Sequence, residues 1–240
     1  MPRANRYIVA GQVYHITHRC HDRKFLLKFA RDRNVYREWL RDALKRHPVL
    51  LLGYCITLNH VHLVLHSETE AAVGRFMQLV EGSVAQQYNI RKERSGGFWS
   101  ERYHATMIDS GRYLRRCLQY VDLNMVRAGA VTHPRDWDWG GYRETAGLRK
   151  RYLLLDVDKL AEQLGFLDIS EFRKSYTSDL DEVLAKEQLP RREPMWTESL
   201  AVGSESFVNQ MVARFTKRRE LEVRSEHGVW LVKEAKASCV

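Results

Sequence analysis

The chain has 240 residues, 44% of them hydrophobic and 29% charged. That is enough for one sizeable core, or a core with a smaller satellite, and too apolar for a disordered chain. Its longest apolar run, Val49 to Leu58, is about half of a bilayer crossing, and the N-terminus MPRANRYIVA has no apolar signal core, so a soluble cytoplasmic protein without a membrane partner is expected.

The net charge is +9. It is unevenly placed. Residues 1–60 carry twelve Lys and Arg against four Asp and Glu, residues 61–130 nine against seven, and residues 131–240 eighteen against nineteen. A basic domain joined to a near-neutral one suggests a polyanion partner, most often nucleic acid. A basic protein with no such partner would carry the same charges. The four cysteines form no CxxC pair, which argues against a disulfide framework or zinc ribbon. No GxxxxGK[ST] occurs, so no nucleotide cofactor is expected.

Residues 12–19, QVYHITHR, alternate as a strand, with Val13, His15 and Thr17 on one side and Tyr14, Ile16 and His18 on the other. Residues 28–46 place Phe29, Val35, Trp39, Leu40, Ala43 and Leu44 at helical spacing, ended by His47-Pro48. Residues 49–57 and 60–66 are two further strands around a Leu58-Asn59 turn. A second amphipathic helix covers 70–91, WSERYHATMID is a fourth strand, and 111–127 is a third helix stopped by Ala128-Gly129.

The order β-α-β-β-α-β predicts an α+β fold. It is a ferredoxin-like, split-βαβ antiparallel sheet with two helices on one face and the other face free. A free face ringed by basic loops is a common platform for nucleic acid. Residues 1–130 form this domain. Residues 131–151, rich in Trp and Gly, read as a connection that wraps it. Residues 152–240 read as a small helical C-terminal region, with helices near 156–165, 170–187 and 203–219 and a loose tail after Glu222.

The sharpest local feature is His60-Val61-His62. On a strand, residues i and i+2 share a face, so Val61, Leu63 and Leu65 enter the core and the two imidazoles stand together opposite. Such a pair can chelate one divalent cation; two histidines on a solvated face would give the same pattern. On the third helix, Leu114, Cys117, Leu118, Val121 and Met125 form the apolar stripe. Arg116, Tyr120 and Arg127 fall away from it, with Asn124 on the shoulder. An interface tyrosine with a wet hydroxyl would look the same, and Tyr113 lies on the same side.

NHVHLVLH followed by RRCLQYVDLNMVRAGAV resembles the single-tyrosine HUH-type transposases, most closely the REP-associated tyrosine transposases, over roughly residues 7–145. The resemblance implies Tyr120 as nucleophile. It implies His60 and His62 as ligands of Mg²⁺ or Mn²⁺ with Asn124 as the third, and single-stranded DNA near short palindromic hairpins as substrate. Attack would leave a covalent 5′-phosphotyrosine and a free 3′-hydroxyl, so strand joining needs no ATP. Such a transposase would work at the nucleoid, as a monomer or homodimer. The phenol, with an ordinary pKa of about 10, needs help to attack at neutral pH.

Arg19, Arg23, Lys24, Arg116 and Arg127 are candidate DNA contacts, as are Lys28, Arg31, Arg33 and Arg37. Phe98, Trp99 and Tyr103 are candidate base-stacking groups. Lys217, Arg218 and Arg219 form a second basic cluster. Two competing readings are a catalytically silent nucleic-acid-binding regulator on the same fold and a small-substrate metallohydrolase. The second would need ligands that no HExxH or second HxH supplies.

Overall fold

The computed structural model describes residues 7–186, 193–215, 221–226 and 228–234; the cluster Lys217, Arg218 and Arg219 lies outside them. The first six main elements follow the expected order: β1 (Gln12–Arg19), α1 (Ala30–Arg46), β2 (Val49–Ile56), β3 (His60–Ser67), α2 (Ala72–Arg91) and β4 (His104–Ile108). β3 pairs antiparallel with β1 and β2, and β1 with β4. The fourth strand is shorter than WSERYHATMID, because Trp99 makes only a single bridge to Cys20 before the chain reaches β1.

The third helix is broken. α3 (Arg112–Asp122) ends at Leu123, whose ψ of 0° leaves the helical range, and α4 (Asn124–Arg127) starts anew. α4 stops where expected, with Gly129 in the left-handed region at φ 66°.

Two expectations are corrected. The sheet face opposite α1 and α2 is covered. α3 lies on it, together with α6 (Val157–Gln163) and α7 (Ile169–Leu184). Leu52, Val64, Leu118, Leu160 and Phe172 form a second buried core there, separate from the core of Ile16, Leu63, Leu40 and Phe76 on the other side. The apolar stripe of α3 has to be buried, and the sheet face is where it goes.

The C-terminal region is also more than helical. After α8 (Met195–Glu198) comes β5 (Ala201–Gly203), which joins the edge of β4 in parallel. α9 (Glu205–Phe215) follows, and the tail forms a hairpin of β6 (Leu221–Glu226) and β7 (Val229–Glu234). The sheet thus has seven strands in the order β2-β3-β1-β4-β5-β7-β6. A three-residue strand has no periodicity to read, and β6 is half-exposed. The predicted helices do form, capped at Asp156 and Asp168, whose carboxylates accept from the backbone N–H three residues on.

Residues 131–151 run along β2. Trp137 donates to the Ile56 carbonyl, and the Gly141 N–H to that of Tyr54. A Cβ on Gly141 would come within 3.1 Å of the Tyr54 nitrogen, so any larger residue would press the segment away from β2 by a few tenths of an ångström. Its short helix α5 (Tyr142–Thr145) supplies Glu144.

Candidate active site

The alternation of β3 buries Val61, Leu63 and Leu65 and turns His60 and His62 to the side of α3. Their ring centroids are 4.9 Å apart. Both rings are oriented through Nδ1. The Thr57 hydroxyl donates to the His60 carbonyl at 2.8 Å, so its oxygen accepts from His60 Nδ1 at 2.9 Å. Asn59 Oδ1 accepts from the same nitrogen at 2.8 Å. His60 therefore carries its proton on Nδ1 and its lone pair on Nε2.

His62 reaches the same state through His15, which no motif singles out. The Trp196 carbonyl can only accept, so His15 Nδ1, 2.8 Å away, must donate. Burial pushes the pKa of His15 down to about 4, which keeps it neutral and leaves Nε2 as an acceptor. His62 Nδ1, at 2.9 Å, donates to it. His62 Nε2 then holds the lone pair and meets Asn124 Nδ2 at 3.0 Å. Burial, reinforced by His60, His15 and Arg127, also pushes the pKa of His62 far down.

Tyr120 stands edge-on to both rings, its centroid 5.9 Å from His62 and 6.0 Å from His15. The ring is buried, and it lines a cleft of about 760 Å³ with His60, His62, Asn124, Arg19 and Arg127. Tyr113 is not among the residues lining this cleft; its hydroxyl accepts from Arg112 at 2.7 Å. The break at Leu123 brings Asn124 to His62. His66 follows the pair along β3 but lies against Leu50 and Val13, outside the lining.

The basic candidates separate. Arg19 and Arg127 line the cleft, and so does Arg102, which sequence reasoning missed. Arg127 also turns inward, its guanidinium over the Tyr120 ring. Arg116 instead pairs with Glu193 at 2.8 Å. Lys24 pairs with Asp22 at 3.1 Å, and Arg23 offers its carbonyl to Asn59 Nδ2 at 3.0 Å; neither lines the cleft. Arg33 is buried and donates to the carbonyls of Leu27 and Lys28, a structural role. Phe98 and Tyr103 are core residues, and Trp99 stacks on His18 at 4.2 Å, so base stacking by these three is not what the fold uses them for.

Among the described residues, no three His, Cys, Asp or Glu side chains are placed to hold a metal ion. A cation here would need the amide. The donor set fits: two neutral imidazoles with lone pairs on Nε2, and an amide that presents its oxygen when turned over.

No curated protein matches the chain. One solved structure that it resembles is a REP-associated tyrosine transposase bound to a REP hairpin, at TM-score 0.51 and 18% identity, covering 62% of this chain and 89% of that one. Another is a candidate transposase from Deinococcus radiodurans R1, at TM-score 0.34 and 17% identity, covering 52% of this chain and 95% of that one. Among the described residues, no helix is long and apolar enough to cross a membrane. Residues 8–124, which carry β1 to β4, α3 and both histidines, match the family model described as "Transposase IS200 like".

Proposed function

We propose that the protein is a metal-dependent single-stranded DNA endonuclease and strand transferase of the REP-associated type, acting beside short palindromic hairpins. The observation that carries this reading is the edge-on approach of Tyr120 to His62 inside a cleft edged by arginines. One chain brings Tyr120, His60, His62 and Asn124 together, so the proposed chemistry needs no second copy. The hairpin substrate is supported by the similar fold of a transposase described with a REP hairpin bound.

Arg19, Arg102 and Arg127 hold the phosphates of the strand in the cleft. His60, His62 and Asn124 would hold Mg²⁺ or Mn²⁺, and the chemistry supplied there would be Lewis-acid withdrawal of charge from a non-bridging oxygen of the scissile phosphate. The Tyr120 oxygen attacks phosphorus and loses its proton. A new O–P bond forms, the bond from phosphorus to the 3′-oxygen breaks, and that oxygen leaves as a 3′-hydroxyl after taking up a proton. The 5′-phosphotyrosine keeps the energy of the broken phosphodiester. An incoming 3′-hydroxyl reverses the step and frees Tyr120.

The test is incubation with labelled single-stranded hairpin DNA, with and without Mn²⁺, on a denaturing gel. A metal-dependent protein–DNA band that vanishes in Tyr120→Phe, with hairpin binding kept, is the expected result. An adduct that persists in Tyr120→Phe overturns the assignment of the nucleophile. Binding without any adduct favours the silent regulator.

A further inference from the structure

We infer that His15 is a positioning residue that fixes the tautomer and the aim of His62, so that His62 Nε2 is the nitrogen offered to the cleft. The inference deepens the proposed metal site and rests on it.

His15 and His62 lie on neighbouring strands but are not register partners. β1 pairs His15 with Val64 and Thr17 with His62. The two side chains meet across the diagonal, their planes 7° apart and their ring centroids 5.1 Å apart. His15 is fully buried. One of its nitrogens is committed to the Trp196 carbonyl at 2.8 Å, the other to His62 Nδ1 at 2.9 Å. A carbonyl accepts only, so the direction of both bonds is decided at the Trp196 end and passed through the first ring to the second. A ligand imidazole whose far nitrogen is held this way keeps one tautomer and one ring orientation. Asn59 and Thr57 do the same for His60, but their groups are local to the turn before β3. For His62 the determinant comes from α8, far along the chain.

The Trp196 carbonyl also lies 3.1 Å from the Thr106 hydroxyl, whose one proton it shares with the nearer Ser199 carbonyl at 2.7 Å. A substitution at residue 15 that keeps its own bond to the Trp196 carbonyl is separated from loss of α8. An Asn amide reaches the position of imidazole Nδ1, and a Gln amide reaches that of Nε2. His15→Asn keeps the tie to Trp196 and loses the acceptor for His62. His15→Gln restores an acceptor oxygen at that point.

Two measurements on the full chain without DNA test this. Nitrogen-15 NMR of the metal-free protein reports the protonated nitrogen of each imidazole, and electron paramagnetic resonance reports Mn²⁺ affinity. The wild type is expected to show His62 protonated on Nδ1. His15→Asn is expected to weaken Mn²⁺ binding by about 10- to 100-fold while its circular dichroism spectrum stays that of the folded chain, and His15→Gln to recover most of the loss. A wild-type His62 protonated on Nε2 overturns the inference, as does His15→Asn binding Mn²⁺ as tightly as the wild type. If His15→Asn does not fold, the wild-type tautomer and the affinity of His15→Gln still decide. A wild type with the Nδ1 tautomer and no Mn²⁺ binding removes the metal site itself, and with it any part for His15 in positioning a ligand.

Discussion

Arg127 holds Tyr120 at two points. Its guanidinium carbon lies 4.4 Å from the ring centroid, and one terminal nitrogen donates to the backbone carbonyl of Tyr120 itself. The side chain spans the break at Leu123, so the orientation of the tyrosine depends on a residue of the next helix. Arg127→Gln removes a cation over an aromatic face and a charge-assisted hydrogen bond, and is expected to cost about 2 kcal/mol of stability. It should also lower adduct yield by about tenfold or more, the factor that about 1.4 kcal/mol of lost positioning gives. Arg127→Lys should fall between, since it keeps charge without the planar fork. Urea denaturation and the adduct gel measure the two effects; a variant equal to the wild type in both contradicts the arrangement.

Glu144 fastens the segment that runs along β2. Its carboxylate accepts from the backbone nitrogens of Leu154 and Leu155 at 2.6 and 2.9 Å and from the Tyr54 hydroxyl at 2.9 Å. The side chain is fully buried, with Arg149 3.4 Å away. Glu144→Ala strands these donors, and a loss of about 3–5 kcal/mol is expected. Glu144→Gln keeps part of the acceptor capacity and should cost less. Chemical denaturation of the two variants gives the ranking.

Gly53 sets how closely α3 approaches the sheet. A Cβ there would lie 2.6 Å from a Leu118 methyl carbon, so Gly53→Ala should cost about 1–3 kcal/mol through overpacking. Leu118→Ala makes room, and the double variant should be more stable than the sum of the single losses predicts. Strict additivity in the denaturation midpoints would show that the two residues do not meet.

Acid sensitivity is expected from two histidines given no part in the proposed chemistry, His104, which lines the cleft, and His66, which does not. Burial pushes the pKa of His104 and of His66 down. The folded protein then binds fewer protons at these sites than the unfolded chain does. Stability is full above about pH 6.5, the ordinary histidine value, and falls as the pH drops below it. His104 donates to the Ser199 carbonyl at 2.9 Å, a bond that an amide can copy. His104→Gln should therefore show a shallower decline between neutral and acid pH in urea denaturation. A decline as steep as that of the wild type would exclude His104 as a contributor.

The part of the fold that was legible is the part built on strong periodicity. The alternation of HVHLVLH placed His60 and His62 on one face; the stripe of Leu114, Cys117, Leu118 and Val121 left Tyr120 off it, yet the fold buries that ring with them. Pairing between distant elements leaves no such mark. The diagonal contact of His15 with His62 depends on the β1–β3 register, and the cover over the histidine face depends on α6 and α7 docking from residues beyond 150. Arg33 and Arg127 look alike as letters, yet one braces carbonyls in the interior and the other lies over the Tyr120 ring. The break at Leu123 was invisible because nothing in LNMVR resists a helix; it goes with the tertiary contact of Asn124 with His62.

The parallel pairing of β4 with β5 ties residues near 107 to residues near 201. A shortened version ending near residue 150 would retain every side chain assigned here to cutting and joining. It would also lose the Trp196 carbonyl and leave the border of β4 bare, with unanswered amides and carbonyls along it. Such a fragment would tend to self-associate. The C-terminal third thus covers a sheet edge that would otherwise be open to pairing with a second copy.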